Sequence, residues 1–196
     1  WTFRAENFFL PAADRAGTDP TAHGRIADEI ARLDRLDGDV ETLAGRIAEL
    51  ALATAREALR ECDRAIARAN LTTHELAKTH INRGIILINI GHADDALDDF
   101  RRADELDPGL MPESATNRSA ALILLERYSE AVEQADFAVE SGTRSQANAF
   151  YNRGVALELM GDIRAAYESY LDAAAAAPDW SRPREALDRF QVHSLS

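Results

Sequence analysis

Three asparagines recur along the chain at a fixed spacing and carry its most suggestive chemistry. Asn82, Asn117 and Asn152 are separated by steps of 35 residues, and each is followed directly by an arginine. An asparagine side chain has both a hydrogen-bond donor and an acceptor, so it can bind the N–H and C=O groups of an extended peptide whatever that peptide's side chains are. Three such groups in a row predict a ladder that holds one peptide backbone.

A structural role for these polar residues is the alternative. The asparagines would then bond to neighbouring helices of the protein itself. The arginines that follow them, Arg83, Arg118 and Arg153, are expected to form salt bridges between helices rather than to bind a ligand.

Side chains that catalyse reactions or bind metals form no recognisable set. The five histidines are scattered without zinc-ligand spacing, and the sequence has neither a glycine-rich phosphate loop nor a nucleophile elbow. Cys62 is expected to be a small buried hydrophobe. An acidic cluster at the start of a predicted helix is expected to form a solvated face that suits the helix dipole; it comprises Asp94, Asp95, Asp98 and Asp99. We therefore expect no enzyme, no catalytic residue, no metal and no cofactor.

Helical hairpins must position the asparagines, because small and apolar residues recur with the same period. One series of leucines and two series of alanines recur at this step: Leu87, Leu122 and Leu157; Ala96, Ala131 and Ala166; and Ala103, Ala138 and Ala173. Such spacing predicts two antiparallel helices per unit, packed through small residues. The predicted helices span 74–90, 93–106, 112–125, 129–141, 146–160 and 162–176.

The ends of the first predicted helix are marked by local signals. Thr72 and Glu75 have the spacing of a capping box, and Gly91 can end the helix in the left-handed conformation.

On these landmarks the chain resembles the tetratricopeptide repeat (TPR) family over residues 77–181. The units are 77–111, 112–146 and 147–181, one residue longer than the usual repeat of about 34. The middle unit departs most from the pattern, with Ser119, Glu126, Ala135 and Thr143 in place of the usual glycines, aromatic residue and proline. The resemblance implies an all-α superhelix of stacked antiparallel helix pairs.

The flanks of the repeats are predicted to be largely helical. Residues 1–20 are predicted to form an extended aromatic arm, and residues 21–76 are predicted to form a helical extension. That extension holds a helix within 22–36 and a degenerate fourth repeat, with helices over 41–54 and 55–69. Residues 182–196 are predicted to be a capping helix and tail, because the end of a solenoid exposes an apolar face that must be covered.

Composition argues against several partner classes. With 22 basic and 34 acidic residues the formal net charge is −12, which argues against nucleic acid and anionic lipid. No apolar run approaches the roughly 20 residues that a membrane-spanning helix needs. The abundance of alanine and arginine beside a single lysine suggests a GC-rich bacterial source. The compartment is left open between the cytoplasm and, if a leader preceded Trp1, the periplasm or exterior.

The first helices of stacked hairpins line the concave side, so their exposed positions define the predicted peptide site. The groove is mostly apolar with few charges, which suits an extended or helical peptide. The predicted contact residues are Lys78, Ile81, Asn82, Ile85, Ile88, Asn89, Thr116, Asn117, Ile123, Asn148, Tyr151, Asn152, Val155 and Leu159.

One ligand type common in the family is not expected here. Some members hold a C-terminal carboxylate with a clamp of lysine, arginine and asparagine. In this chain Ile81 and Ile85 replace polar residues of the first unit, and Asn148 and Asn152 stand where the third unit would need basic residues.

The sequence therefore predicts a non-catalytic scaffold that binds a protein or peptide partner. The alternative hypothesis is a structural module that self-associates, with its aromatic arm packed on its own repeats or inserted into a second copy to form a homo-oligomer.

Overall fold

The structure, a computed structural model, describes residues 40–68 and 70–190, with side chains from residue 48 onward. The predicted arm over 1–20, the predicted helix within 22–36 and the tail over 191–196 lie outside the described residues.

Eight α-helices follow one another in this described part, without β-strands, which confirms the predicted all-α fold. They are α1 (Val40–Ala67), α2 (Thr73–Asn89), α3 (Ala93–Leu106), α4 (Met111–Leu124), α5 (Tyr128–Glu140), α6 (Gln146–Met160), α7 (Ile163–Ala176) and α8 (Ser181–Asp188). Helices α2 and α3, α4 and α5, and α6 and α7 form three antiparallel hairpins joined by short turns. None of the described helices is both long enough and apolar enough to cross a lipid bilayer.

The hairpins stack so that their first helices lie on the inside of the curve. Helix α2 contacts α4, and α4 contacts α6, whereas the second helices α3, α5 and α7 pack mainly against first helices. The first helices are therefore closer together than the second helices, and their free faces form the concave surface.

Local signals set the helix ends. Thr72 and Glu75 form the predicted capping box: the Thr72 hydroxyl accepts from the Glu75 N–H at 3.2 Å, and the Glu75 carboxylate accepts from the Thr72 N–H at 2.8 Å. The turn after each first helix has a residue at positive φ, namely Gly91 (84°), Glu126 (58°) and Gly161 (87°). Glu126 thus holds a left-handed conformation that glycine adopts at much lower cost.

The two helices of each hairpin meet through a pair of residues of complementary size. A Cβ added to Gly84 would lie 2.6 Å from the Phe100 ring, and one added to Gly154 would lie 2.7 Å from the Tyr170 ring. In the middle hairpin Ser119 occupies the glycine position and Ala135 the aromatic position, and both are fully buried. A larger first-helix residue therefore accompanies a smaller second-helix residue.

The segment before the repeats differs from its prediction. Residues 40–67 form one continuous helix, α1, so the antiparallel partner predicted over 41–54 is wrong and no fourth hairpin forms there. The reason is local: residues 50–58 contain no glycine or proline, and four of the nine are alanine, the residue with the highest helix propensity. Helix α1 packs against α2. Cys62 on α1 is half-buried, and burial raises the pKa of its thiol.

Helix α8 covers part of the last hairpin. Its Ala186 is fully buried beside Tyr170, with Leu187 and Phe190 packed against the same cluster. The Trp180 ring, just before α8, lies 4.9 Å from the Tyr151 ring. These contacts agree with the expectation that an apolar end face needs a cover.

Candidate functional site

Each first helix presents one line of accessible side chains on the concave surface. On α2 the line is Lys78, Asn82, Ile85 and Asn89, which follow the i, i+4, i+7, i+11 spacing of a single helix face. All are exposed or half-buried, as are their equivalents in the other two hairpins. We call these twelve residues the open stripes; the further members are Glu113, Asn117, Ala120, Leu124, Asn148, Asn152, Val155 and Leu159.

Four of the predicted contact residues are core residues instead. Ile81, Ile88, Thr116 and Ile123 are only 2–7% exposed, so they can offer little surface to a peptide, which corrects the prediction for them. The reason is that the next hairpin covers this second line on each first helix: Ile81 and Ile88 share a core cluster with Ala121 of α4.

Tyr151 occupies the equivalent place on the last full-length first helix and remains half-buried. Its ring packs against Trp180 and Tyr170, with ring centroids 4.9 and 5.5 Å away. Burial raises the pKa of the Tyr151 hydroxyl. These aromatic residues pack together at the C-terminal end of the stack of hairpins.

The three asparagines are equivalent in sequence but differ in their hydrogen bonds. Asn82 is exposed, and its side chain makes no hydrogen bond to any described residue. The Asn117 amide nitrogen donates to the Glu113 carbonyl of its own helix at 3.0 Å. The Asn152 amide nitrogen donates to the Thr116 carbonyl at 3.0 Å and to the Ser119 hydroxyl at 2.9 Å. Asn152 therefore ties α6 to α4, as the structural alternative proposes.

The amide oxygens of the three asparagines make fewer hydrogen bonds to described residues than the amide nitrogens do. Within the described ranges, no donor reaches the Oδ1 atoms of Asn82, Asn117 and Asn152, all of which lie on the open stripes. Each oxygen can accept a hydrogen bond from a ligand N–H, whereas the amide nitrogen of Asn152 is already fully used.

Polar and apolar side chains occupy different ends of the open stripes. The N-terminal halves of the first helices contribute Lys78, Glu113, Asn148 and the three asparagines, whereas the C-terminal halves contribute Asn89 and five apolar residues. Because the first helices run in the same direction, the polar residues align in one lane across the stack. The apolar residues align in a second lane beside it: Ile85, Ala120, Leu124, Val155 and Leu159.

The repeated arginines form ion pairs between helices, which confirms that prediction. Arg83 pairs with Asp99 of its own hairpin and with Asp63 of α1, in both cases at 2.7 Å. Arg118 pairs with Asp104, and Arg153 lies 3.0 Å from Asp136, in each case across to the preceding second helix. Arg118 and Arg153 therefore link successive hairpins, and Arg83 links the first hairpin to α1.

One buried network in the first hairpin was not indicated by the sequence. The Asp99 carboxylate is 3% exposed and accepts from His80 Nδ1 at 2.8 Å and from Arg83 Nε and Nη2 at 2.7 Å each. The sequence prediction of a solvated acidic face holds for Asp94, Asp95 and Asp98 but is wrong for Asp99. Its helical position turns it inward towards α2, and no short-range pattern joins residues 19 apart.

The described residues contain no group of three or more histidine, cysteine, aspartate or glutamate side chains that could hold a metal ion. The accessible side chains of the open stripes are amides, apolar groups and two charged groups, Lys78 and Glu113.

Comparison with known proteins identifies the repeat. A family model described as tetratricopeptide repeat matches residues 77–110 and 147–179, and so leaves out the divergent middle unit. No curated protein matches the chain.

Solved structures share its fold. They include the second TPR domain of human RPAP3 in complex with the HSP70 peptide SGPTIEEVD, at 22% identity and a TM-score of 0.53 over 60% of this chain and 96% of that one. The TPR domain of Arabidopsis OM64 matches at 20% identity and a TM-score of 0.56, over 62% of this chain and 98% of that one. MamA from Desulfovibrio magneticus RS-1 matches at 21% identity and a TM-score of 0.56, over 78% of this chain and 84% of that one. The chain thus contains tetratricopeptide repeats, and its described part has the fold of a TPR superhelix.

Proposed function

We propose that this protein is a non-catalytic scaffold that binds an extended segment of a partner protein across the open stripes of α2, α4 and α6. The observation that carries the proposal is the pair of parallel lanes: free amide oxygens in one and exposed apolar side chains in the other. The peptide complex of the human RPAP3 domain supports it by analogy of fold alone.

The spacing of the helices suggests how such a segment would lie. Packed helices are about 8–10 Å apart, and three residues of extended polyproline-II chain advance by about 9 Å. A peptide that crosses the first helices would therefore place every third side chain over a helix. We infer a partner segment with apolar side chains three residues apart, held along its backbone by N–H donation to Asn82, Asn117 and Asn152.

The charges of the open stripes argue against an acidic C-terminal tail as the ligand. The accessible charged side chains of the open stripes are Lys78 and Glu113, one of each sign, and the third hairpin offers Asn148 and Asn152 where a carboxylate clamp would need basic groups. Recognition would therefore depend on the ligand backbone and on its apolar side chains.

Selection from a random peptide library displayed on phage, with the full chain as bait, tests the proposal. We expect enriched peptides to carry apolar residues at intervals of three. Fluorescence anisotropy with the enriched peptides should then give a dissociation constant that rises about tenfold or more for Asn82→Ala and for Leu159→Glu. Leu159 is 40% exposed, so the second change should leave the fold intact.

Two matched substitutions control for nonspecific effects. Asn70→Ala removes an exposed asparagine outside the open stripes, and Leu171→Glu changes a leucine of similar exposure, 44%, on a second helix. Both should leave the peptide affinity unchanged. Failure to enrich any peptide, or equal losses in the test and control variants, would refute a concave binding site.

A further inference from the structure

The last second helix, α7, exposes a line of large apolar side chains. Ile163, Tyr167 and Leu171 are 52, 41 and 44% exposed and follow an i, i+4, i+8 spacing, so they lie along one face of the helix. We call these three residues the α7 stripe.

In the earlier hairpins the middle of the equivalent face is covered by the next hairpin. At the repeat step of 35 residues, Tyr167 corresponds to Val132 in the second hairpin and to Leu97 in the first. Val132 and Leu97 each pack in the core cluster of the hairpin that follows. Asp136, which is 35 residues before Leu171, lies 3.0 Å from Arg153 of the next first helix. Tyr167, the central residue of the α7 stripe, thus lies where another hairpin would stack, whereas the Leu171 position lies at the edge of that surface, since its equivalent Arg101 keeps 67% of its side chain exposed.

Helix α8 leaves this surface open because it is short. It has 8 residues, against 15 in α6, and its buried contacts are with Tyr170 and Ala166. Its contact with the stripe is the Phe190 ring, which meets the Tyr167 ring edge-on at 5.9 Å. Leu171 takes the place of the charged Arg101 and Asp136 of the earlier hairpins.

We propose that the α7 stripe is the interface of a homodimer in which two copies pack α7 against α7 in antiparallel orientation. Under two-fold symmetry Tyr167 meets its counterpart, and Ile163 meets Leu171 of the second copy. Arg164 lies beside the stripe and pairs with Glu168 of its own helix at 3.1 Å, and the same symmetry places it near Glu168 and Asp172 of the other copy. The proposed contact is therefore apolar at its centre, with an arginine near acidic residues of the second copy at its edge.

The exposed area fits a weak dimer. Two facing stripes would bury roughly 500 Å² of apolar surface, which is below the roughly 1,200 Å² of a standard specific interface, so the association would be weak. We therefore expect the dimer to form only at high protein concentration. This interface is separate from the concave groove, so each proposal can fail without the other.

Sedimentation velocity of the full chain over a range of concentrations up to about 1 mM tests the dimer. Tyr167→Glu should weaken association about tenfold or more, while Phe137→Glu, which changes an aromatic residue of matching exposure (40%) on α5, should leave it unchanged. Arg164→Asp and Asp172→Arg should each weaken association, and the double variant should restore it.

Three results would overturn the proposal. The first is a wild-type chain that stays monomeric throughout, which would leave the stripe to a different partner. The second is association that Tyr167→Glu and Phe137→Glu affect alike. The third is a monomer that dimerises only after Leu195→Glu, which would show that the chain's own tail covers the stripe.

Discussion

At the scale of single residues, the packing of each hairpin depends on the fit between one first-helix position and one second-helix position. Gly84 admits the Phe100 ring, Gly154 admits the Tyr170 ring, and in the middle hairpin Ser119 accompanies Ala135. Fully buried contacts of this kind leave no room for an added atom, because protein interiors are close-packed.

A double-mutant cycle tests this exchange of volume. Gly84→Ser should destabilise the protein by about 2 kcal/mol through overpacking, and Phe100→Ala by about 3–5 kcal/mol through a cavity. The double variant, Gly84→Ser with Phe100→Ala, recreates the residue pair of the middle hairpin. We expect its loss of unfolding free energy to be smaller than the sum of the two single losses by about 1–2 kcal/mol. Urea unfolding measures all three, and strict additivity would contradict the paired fit.

The buried Asp99 gives a second prediction. Asp99→Ala leaves Arg83 and His80 without their shared acceptor, and we expect it to cost about 3 kcal/mol of unfolding free energy. Asp136→Ala removes a carboxylate whose side chain is 42% exposed beside Arg153, and should cost less than about 1 kcal/mol. Equal effects in urea unfolding would show that Asp99 carries no special role.

Much of the residue pattern could be predicted, but not the partner of each residue. The 35-residue recurrence predicted the asparagines, the packing glycines and the ion-pairing arginines, because each follows from position within the repeat. The His80–Asp99 bond and the burial of Ile81 and Ile88 could not be predicted in the same way. They depend on how closely neighbouring helices approach, which the spacing of one helix does not contain.

At the scale of the elements, the turns show why the divergent middle hairpin still has the regular form. Glu126 adopts the positive φ that Gly91 and Gly161 adopt in the corresponding turns. The hairpins on either side require the same reversal of the chain, so tertiary packing imposes a conformation that the local residue disfavours.

The turn strain predicts substitutions of opposite sign. Glu126→Gly should raise the unfolding free energy by about 0.5 kcal/mol, because relief of the left-handed conformation outweighs the added freedom of the unfolded chain. Gly161→Ala should lower it by about 1 kcal/mol, since nothing lies near an added Cβ and only the backbone is strained. Thermal unfolding of both variants measures the two signs, and destabilisation by Glu126→Gly would contradict this account.

Element boundaries within the repeats followed from capping and turn signals, whereas the boundary predicted inside α1 did not exist. Residues 50–58 carry no turn signal, and the hairpin predicted there came from extending the repeat beyond its landmarks. High local helix propensity decides the outcome, because nothing in that stretch interrupts the helix.

At the scale of the whole molecule, the two sides of the superhelix and its end have different chemistry. The concave side presents amide oxygens and apolar residues with few charges, while ion pairs such as Arg101–Asp98 and Arg127–Glu130 lie along the exposed second helices. The net charge of −12 therefore says little about the ligand of the concave side. The apolar stripe of α7 marks the end where the stack of hairpins stops.

The central claim is that the partner segment lies across the first helices. Backbone amide chemical shifts of the ¹⁵N-labelled full chain, followed during titration with an enriched peptide, test it most directly. We expect the largest changes in α2, α4 and α6, around Asn82, Asn117 and Val155, with α3, α5 and α7 little affected. Largest changes on α3, α5 and α7, or changes confined to one end of the stack, would contradict a peptide held across the concave surface.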